Sequence, residues 1–193
     1  RAAYYQSGGD TSVLQLGSVP RPSEPGAGEF LVRIIATSVN PVDFKLREAR
    51  GKGTDGPRVI PGADIAGVVE QVGPSSAFVV GQRVFAMLEL ALGAGGKGSA
   101  TDVKAGSCAE FAIVKDAWAS PMPAGISFEE AAALPLVSLT ACQAFAAAGI
   151  TEANRDEVRG KRILIHAAAG GVGSFAVQLA CHFNLRVSVT CSA

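Results

Sequence analysis

Two groups of residues carry most of the chemistry this chain offers. The first is Ala168-Ala169-Gly170-Gly171-Val172-Gly173, a turn of small residues. It follows Arg162 to Ala167, an apolar run rich in branched residues that reads as a buried strand. After it, Val172, Ala176, Leu179, Ala180 and Phe183 recur at the spacing of a helix face. Such a turn can hold a phosphate. Gly170 lets the backbone approach a pyrophosphate, and Gly173 lets the helix pack on the strand. The free N–H groups at the helix start and the helix dipole attract negative charge. Ala168 stands where the G-x-G-x-x-G fingerprint has its first glycine, so a turn made only for tight packing is the rival reading. The strand, helix and second strand around it favour the cofactor.

The cofactor can be specified further. Units that bind NAD place Asp or Glu about 20 residues on, at the end of the second strand, to hold the ribose hydroxyls. Here Thr190-Cys191-Ser192 fills that place, with no acid. Small hydroxyl residues leave room for a 2′-phosphate, so Thr190 and Ser192 point to NADPH over NADH.

The second group is Asn40-Pro41-Val42-Asp43-Phe44-Lys45. Asn40 suits a helix N-cap, Pro41 the first helical position, and Asp43 the third, facing free N–H groups. By itself this is a well-capped short helix. His166 ends a strand and His182 lies on a helix; both read as structural. Cys108, Cys142, Cys181 and Cys191 form no C-x-x-C pair and read as small buried hydrophobes in a reducing compartment. Gly93 to Ser99 fails as a phosphate loop, because Gly98 follows Lys97 and no helix pattern comes after; it reads as a surface loop.

Short strands must position these groups. Tyr4–Gln6, Val13–Leu16, Glu29–Val39, Ile65–Val72, Arg83–Leu88 and Ala109–Val114 read as strands between glycine and proline turns, including the turn cluster Ser7-Gly8-Gly9-Asp10. Gly51 to Pro57 reads as a mobile polar loop. At Ser127 the character changes: Ser127-Phe128-Glu129-Glu130 has the form of a capping box, and an alanine-rich helical region runs to Ala148. The polar Thr151 to Arg159 segment leads into the glycine-turn strand. The expected architecture is α/β with a β-rich first domain, residues 1–125, followed by residues 126–193 as the first βαβ unit of a Rossmann fold.

Composition narrows the rest. The 193 residues are 48% hydrophobic, enough for a sizeable core. Lys and Arg number 17, as do Asp and Glu, so no basic excess exists to neutralise nucleic-acid phosphates. Ala131 to Thr151 is uncharged and long enough to span a bilayer, but its alanines, Pro135 and polar residues favour a buried soluble helix. No signal peptide opens the chain; residue 1 is Arg, which leaves leader removal open.

Four segments together resemble the medium-chain dehydrogenase/reductase superfamily, in its zinc-independent quinone oxidoreductase branch of zeta-crystallin-like proteins and alkenal/enone reductases. They are Val39 to Lys45, Ile60 to Val69 (IPGADIAGVV), Phe128 to Thr140 (FEEAAALPLVSLT) and Ala167 to Ala180. Zinc-dependent members look like Cys-Gly-Thr-Asp where this chain has Asn40-Pro41-Val42-Asp43, and His-Glu where it has Ala63-Asp64. The resemblance therefore implies no metal. It implies a GroES-like, partly open β-barrel before the Rossmann unit. It also implies NADPH-dependent hydride transfer to a quinone or an α,β-unsaturated carbonyl, in a dry cleft between the domains.

Residue by residue, the resemblance makes Asn40 a donor to the substrate carbonyl. Lys45 stands where some members carry tyrosine and alkenal reductases often carry lysine, a group able to hydrogen-bond or protonate the enolate oxygen. Thr140 matches a threonine near the cofactor, with packing at the domain junction as the rival reading, and Ala169 to Val172 meet the pyrophosphate. Relatives continue through the second half of the nucleotide fold and then complete the first domain. The activity is accordingly expected of the full-length parent, with this stretch alone inactive. The expected partner is a small-molecule quinone or enone, with no nucleic acid and no membrane span. A homodimer of the full-length protein and a cytoplasmic location, with organelle import left open, complete the reading. A cofactor-binding but catalytically idle crystallin-like protein and an enoyl-reductase module of a larger synthase are the alternatives.

Overall fold

The computed structural model describes residues 1–51, 57–89 and 103–192. In chain order the elements are strands β1 (Ala2–Tyr4), β2 (Gln15–Gly17) and β3 (Glu29–Thr37), helix α1 (Pro41–Ala49), strands β4 (Arg58–Val59), β5 (Asp64–Val72), β6 (Arg83–Met87), β7 (Val103–Lys104), β8 (Phe111–Lys115) and β9 (Ala119–Pro121), helices α2 (Phe128–Ala132), α3 (Pro135–Ala147) and α4 (Arg155–Val158), strand β10 (Arg162–Ile165), helix α5 (Gly171–His182) and strand β11 (Arg186–Val189). They form two compact units, Arg1–Pro135 and Leu136–Ala193.

The first unit is built on a curled, open half-barrel in the order β8-β3-β5-β6-β9. Its pairings are all antiparallel. Period-two alternation creates the core: Phe30 and Val32 on β3, Ile65 and Val69 on β5, Val84 and Ala86 on β6, and Ala112 and Val114 on β8 share one buried cluster. Phe78 reaches it from a loop, 4.6 Å from the Phe30 ring centre. Burying each of the valine, isoleucine and phenylalanine side chains stabilises the fold by about 1.5–3 kcal/mol.

Helix α2 covers the other face, with Ala131 and Ala132 packed against Ala66. It starts as expected: the Ser127 hydroxyl accepts from Glu130 N–H at 3.1 Å, and Ser127 N–H donates to the Glu130 carboxylate at 2.8 Å. Arg83 ties the helix down, donating to the Ile126 carbonyl and lying over the Phe128 ring. The change of composition after residue 125 and the change of packing after Pro135 are thus different boundaries, because the alanines of α2 belong to the sheet of the first unit.

The sequence expectations differ from the structure in several elements. The alanine-rich region is two helices, broken between Ala132 and Pro135. No single helix among the described residues is long and apolar enough to cross a membrane. Val13 lies in a 3₁₀ turn capped by Asp10, whose carboxylate accepts from Ser12 N–H at 2.9 Å. The β4–β7 pair and β9 had no sequence expectation. The Gly93 to Ser99 loop, and most of the loop from Gly51 to Pro57, lie outside the described residues.

In the second unit β10 and β11 are parallel, Arg162 opposite Arg186 and Ile165 opposite Val189. This is the expected strand, glycine turn, helix, strand. Ala141 and Phe145 of α3, Val158, Ile165, Ala176, Ala180, Phe183 and Leu185 form its core. The buried stripe of α5 is Gly173, Ala176 and Ala180. Val172, expected on that face, is 36% exposed, because the helix turns its smallest residue toward the strand. Asn184 adopts a left-handed φ of 53° just past the helix, a conformation asparagine tolerates.

Candidate functional site

The glycine turn has the geometry of an anion site. The Ala168 N–H donates to the Thr190 carbonyl at 3.0 Å, and Gly170 N–H closes a turn on the Ala167 carbonyl at 2.9 Å. Gly170 caps α5, its carbonyl accepting from Ser174 N–H at 2.8 Å. The N–H groups of Gly171, Val172 and Gly173 therefore have no intrahelical acceptor. Gly170, Gly171 and Val172 are exposed, as is Ala169.

Two glycines serve different ends. A Cβ on Gly173 would lie 2.2 Å from the Ala167 oxygen and 2.7 Å from Ala168 Cα, so packing alone demands glycine. A Cβ on Gly170 would meet only the Ala167 oxygen, at 3.3 Å, at an ordinary φ of −79°. A side chain there would need that carbonyl to give by only a few tenths of an ångström, so packing alone does not demand glycine and its open side can face a ligand. Ala167 sits in the left-handed region at φ 54°, a conformation that costs a non-glycine residue about 1–2 kcal/mol. These residues fit a phosphate-bearing cofactor.

Thr190 and Ser192 are exposed after β11, and no acid stands with them. The Thr190 hydroxyl lies 2.9 Å from His166 Nδ1. Thr140 is exposed on α3, and its hydroxyl donates back to the Leu136 carbonyl at 2.7 Å, which leaves it able to accept. Val137, one turn earlier, stands next to Gly171: a Cβ on that glycine would lie 3.1 Å from Val137 Cγ1. The start of α3 and the glycine turn are therefore neighbours.

In the first unit, Asn40 is the N-cap of α1 with Pro41 at the first position. Its N–H donates to the Asp43 carboxylate at 2.7 Å. Its side-chain amide turns inward, with only 6% exposure, and donates to Asp64 Oδ2 at 2.8 Å and Ser38 Oγ at 3.1 Å. Both amide hydrogens are thus engaged within the protein, which the expected substrate-facing role did not anticipate. Ser38 Oγ also donates to Asp64 Oδ2, at 2.6 Å. Asp64 is 1% exposed, and this pair of donors gives its charge partners in the interior. Lys45 is exposed further along α1, with no hydrogen bond or ion pair among the described residues.

The network extends below Asn40. The Thr37 hydroxyl bonds Asp64 O and the fully buried Ser107 hydroxyl, each at 2.7 Å. Gly62, at φ 91°, lets the loop before β5 press on this layer, since a Cβ would lie 2.2 Å from Ser107 Oγ. Burial pushes the Asp43 carboxyl above the ordinary aspartate range, against the lowering effect of N–H donors from Asn40 and Gly62; the nearby Asp64 raises it further. Burial likewise pushes the Cys108 thiol up, with Asp43 adding to the shift. The expectation of four buried cysteines fails elsewhere: Cys142, Cys181 and Cys191 are exposed free thiols, because Cys142 and Cys181 occupy outward positions on α3 and α5.

Sequence reasoning did not single out Ser38, Thr37, Asp64 or Ser107 as a network. One signal was available: Asp64 opens a strand whose next five residues, Ile65 to Val69, carry no polar side chain, and a carboxylate there needs a partner. His166, read as merely structural, is paired with Thr190.

A half-barrel and a glycine-turn βαβ unit in one chain have the architecture of the dehydrogenase/reductase fold, and comparison with known proteins agrees. Residues 26–124 match the alcohol dehydrogenase GroES-like domain family. The chain belongs to that family, within the medium-chain dehydrogenase/reductase superfamily. It is 37% identical to the chloroplastic quinone-oxidoreductase homolog of Spinacia oleracea, over 98% of this chain and 54% of that protein. It is 36% identical to the 2-methylene-furan-3-one reductase of Solanum lycopersicum, over 94% of this chain and 44% of the relative. Among solved structures it is similar to the Escherichia coli quinone oxidoreductase complexed with NADPH, with a TM-score of 0.75, 25% identity, and coverage of 100% of this chain and 52% of that one. The chain spans about half the length of the relatives it matches.

Proposed function

We propose that this chain is part of an NADPH-dependent oxidoreductase that reduces an electron-poor double bond in a quinone or an α,β-unsaturated aldehyde or ketone, without a catalytic metal. The observation that carries the reading is the exposed start of α5. Three unengaged N–H groups, Gly171 to Gly173, lie beside the unfilled space at Gly170, and the following strand ends in Thr190 and Ser192 rather than an acid. The names of the relatives supply the substrate class.

When bound, NADPH supplies the hydride. The chain's own residues hold and protonate. Gly170, Gly171 and Val172 receive the pyrophosphate with Ala169, Gly173 packs the helix under it, and Thr140 offers an acceptor beside the turn. Thr190 and Ser192 face the adenosine end. On α1, Lys45 donates to the oxygen that gains charge as the double bond is reduced. Asn40 joins it by exchanging its longer bond, to Ser38, for the substrate carbonyl, while its bond to Asp64 holds the amide in place. The residue types support the metal-free reading: Asn40 and Ala63 offer neither thiolate nor imidazole.

The test is turnover of NADPH by the intact protein with a quinone, an alkenal and an acyl-thioester enone. Consumption with a quinone or alkenal is the expected result. Tight NADPH binding without turnover of any acceptor overturns the enzymatic reading in favour of an idle cofactor-binding protein. Turnover of the thioester alone moves the substrate class to an enoyl-reductase module.

A further inference from the structure

We propose that His166 and Thr190 form a proton-coupled reader of the cofactor's 2′-phosphate, so that NADPH binds with uptake of a proton by the imidazole and NADH does not. This rests on the NADPH reading above and adds a residue and a linkage to it.

The two residues stand side by side. Strands β10 and β11 run parallel and in register to the pair Ile165–Val189, and His166 and Thr190 are the next residue on each. The backbone fixes the arrangement: Thr190 N–H donates to the Ile165 carbonyl at 3.1 Å, and Ala168 N–H to the Thr190 carbonyl at 3.0 Å. Across them, His166 Nδ1 and Thr190 Oγ1 are 2.9 Å apart, and both side chains are exposed. Ligands of open α/β sheets sit beyond the carboxyl ends of the strands, with the adenosine ribose at the end of the second. His166 also lines a depression with Ala167, Gly170, Val172 and Gly173 of the glycine turn.

Hydrogen counting gives the linkage. Neutral histidine has one ring hydrogen and threonine one hydroxyl hydrogen. One of the two fills the bond between them, so a single hydrogen points outward, from Nε2 or from Thr190 Oγ1 according to the tautomer. A protonated ring has two. Its Nδ1–H then donates to Thr190, which frees both Nε2–H and the hydroxyl hydrogen. One added proton therefore doubles the outward donors and supplies a positive charge.

The 2′-phosphate rewards that change, whereas the two hydroxyls of an NADH ribose do not. Histidine is the side chain suited to such a switch near neutral pH. From α3 the depression is lined by Ala141, Ala144, Phe145 and Ala148 and from the start of α5 by glycine, valine and alanine; among the described residues no second titratable side chain lines it, and the thiol of Cys191 follows Thr190 in the chain. On the strands, Arg162 and Arg186 pair at the opposite end.

Calorimetric titration of the intact protein with NADPH and with NADH, in two buffers of unlike ionisation enthalpy at one near-neutral pH, tests this. The heat of NADPH binding should depend on the buffer, reporting proton uptake, and the heat of NADH binding should not. His166→Asn, which keeps a polar group near Thr190 but cannot take the proton, should abolish the uptake and weaken NADPH about tenfold, with NADH unchanged. Thr190→Val should keep the uptake and lose part of the affinity. Equal proton uptake in His166→Asn, or equal weakening of both nucleotides, overturns the proposal and leaves the NADPH reading standing. Absence of NADPH binding by the wild type overturns both.

Discussion

Replacing Gly173 and Gly170 by alanine, one at a time, separates the packing role of the glycine turn from its binding role. At Gly173 the new Cβ would lie 2.2 Å from a carbonyl oxygen and 2.7 Å from a Cα, both backbone atoms that cannot rotate away. Overpacking of this kind costs about 1–3 kcal/mol. Alanine's better helix propensity returns up to about 1 kcal/mol, so the expected net loss is about 1–2 kcal/mol, a fall of several degrees in Tm. At Gly170 the nearest atom is 3.3 Å away and the backbone angles are ordinary, so the cost is that of a poorer N-cap, about 0.5 kcal/mol. Its methyl group instead occupies the space assigned to the pyrophosphate, and NADPH affinity should fall at least tenfold, about 1.4 kcal/mol. Thermal unfolding and a fluorescence titration with NADPH on both variants provide the assay. A Gly170→Ala protein with wild-type affinity, or one as unstable as Gly173→Ala, refutes the division of roles.

Three further outcomes follow from the first unit. Asp64→Ala leaves the Ser38 hydroxyl and one Asn40 amide hydrogen without their buried acceptor, at about 1–3 kcal/mol each; urea unfolding should show a loss of about 3 kcal/mol, and a loss below about 1 kcal/mol contradicts the network. The folded Asp43 carboxyl titrates above its unfolded value, so its contribution to stability is complete below the ordinary value of 3.8 and is lost as pH rises through the folded one. The stability difference between wild type and Asp43→Asn should therefore decline with rising pH across that window, and a flat difference refutes the shift. Cys108, half-buried with its thiol pushed up, should be the slowest of the four cysteines to alkylate at neutral pH, as read by mass spectrometry of the peptides.

The long elements were legible because their signals repeat. Residues 29–37 and 64–72 carry runs of branched and apolar residues bounded by glycine and proline turns, Ser127 and Glu130 state a helix start in two residues, and the run from Arg162 to Val189 shows strand, turn and helix periods in succession. The break between α2 and α3 was hidden because alanine satisfies any face of a helix; Pro135, suited to a first helical position, was the usable sign. Strands β4, β7 and β9 hold two or three residues each, and their existence depends on partners distant in sequence. The glycine turn could be read as a site from local spacing. The Asn40 network could not, since Asp64 lies 24 residues from Asn40 and 26 from Ser38. Thr190 was chosen for its chemistry, but its pairing with His166 exists only once the two strands are in register.

Reduction of an enone by the intact protein with NADPH deuterated at the transferred position tests the central claim most directly. Analysis of the product by NMR should place deuterium on the carbon β to the carbonyl, leaving a saturated aldehyde or ketone. Deuterium on the carbonyl carbon, with the double bond intact and an alcohol formed, would contradict it.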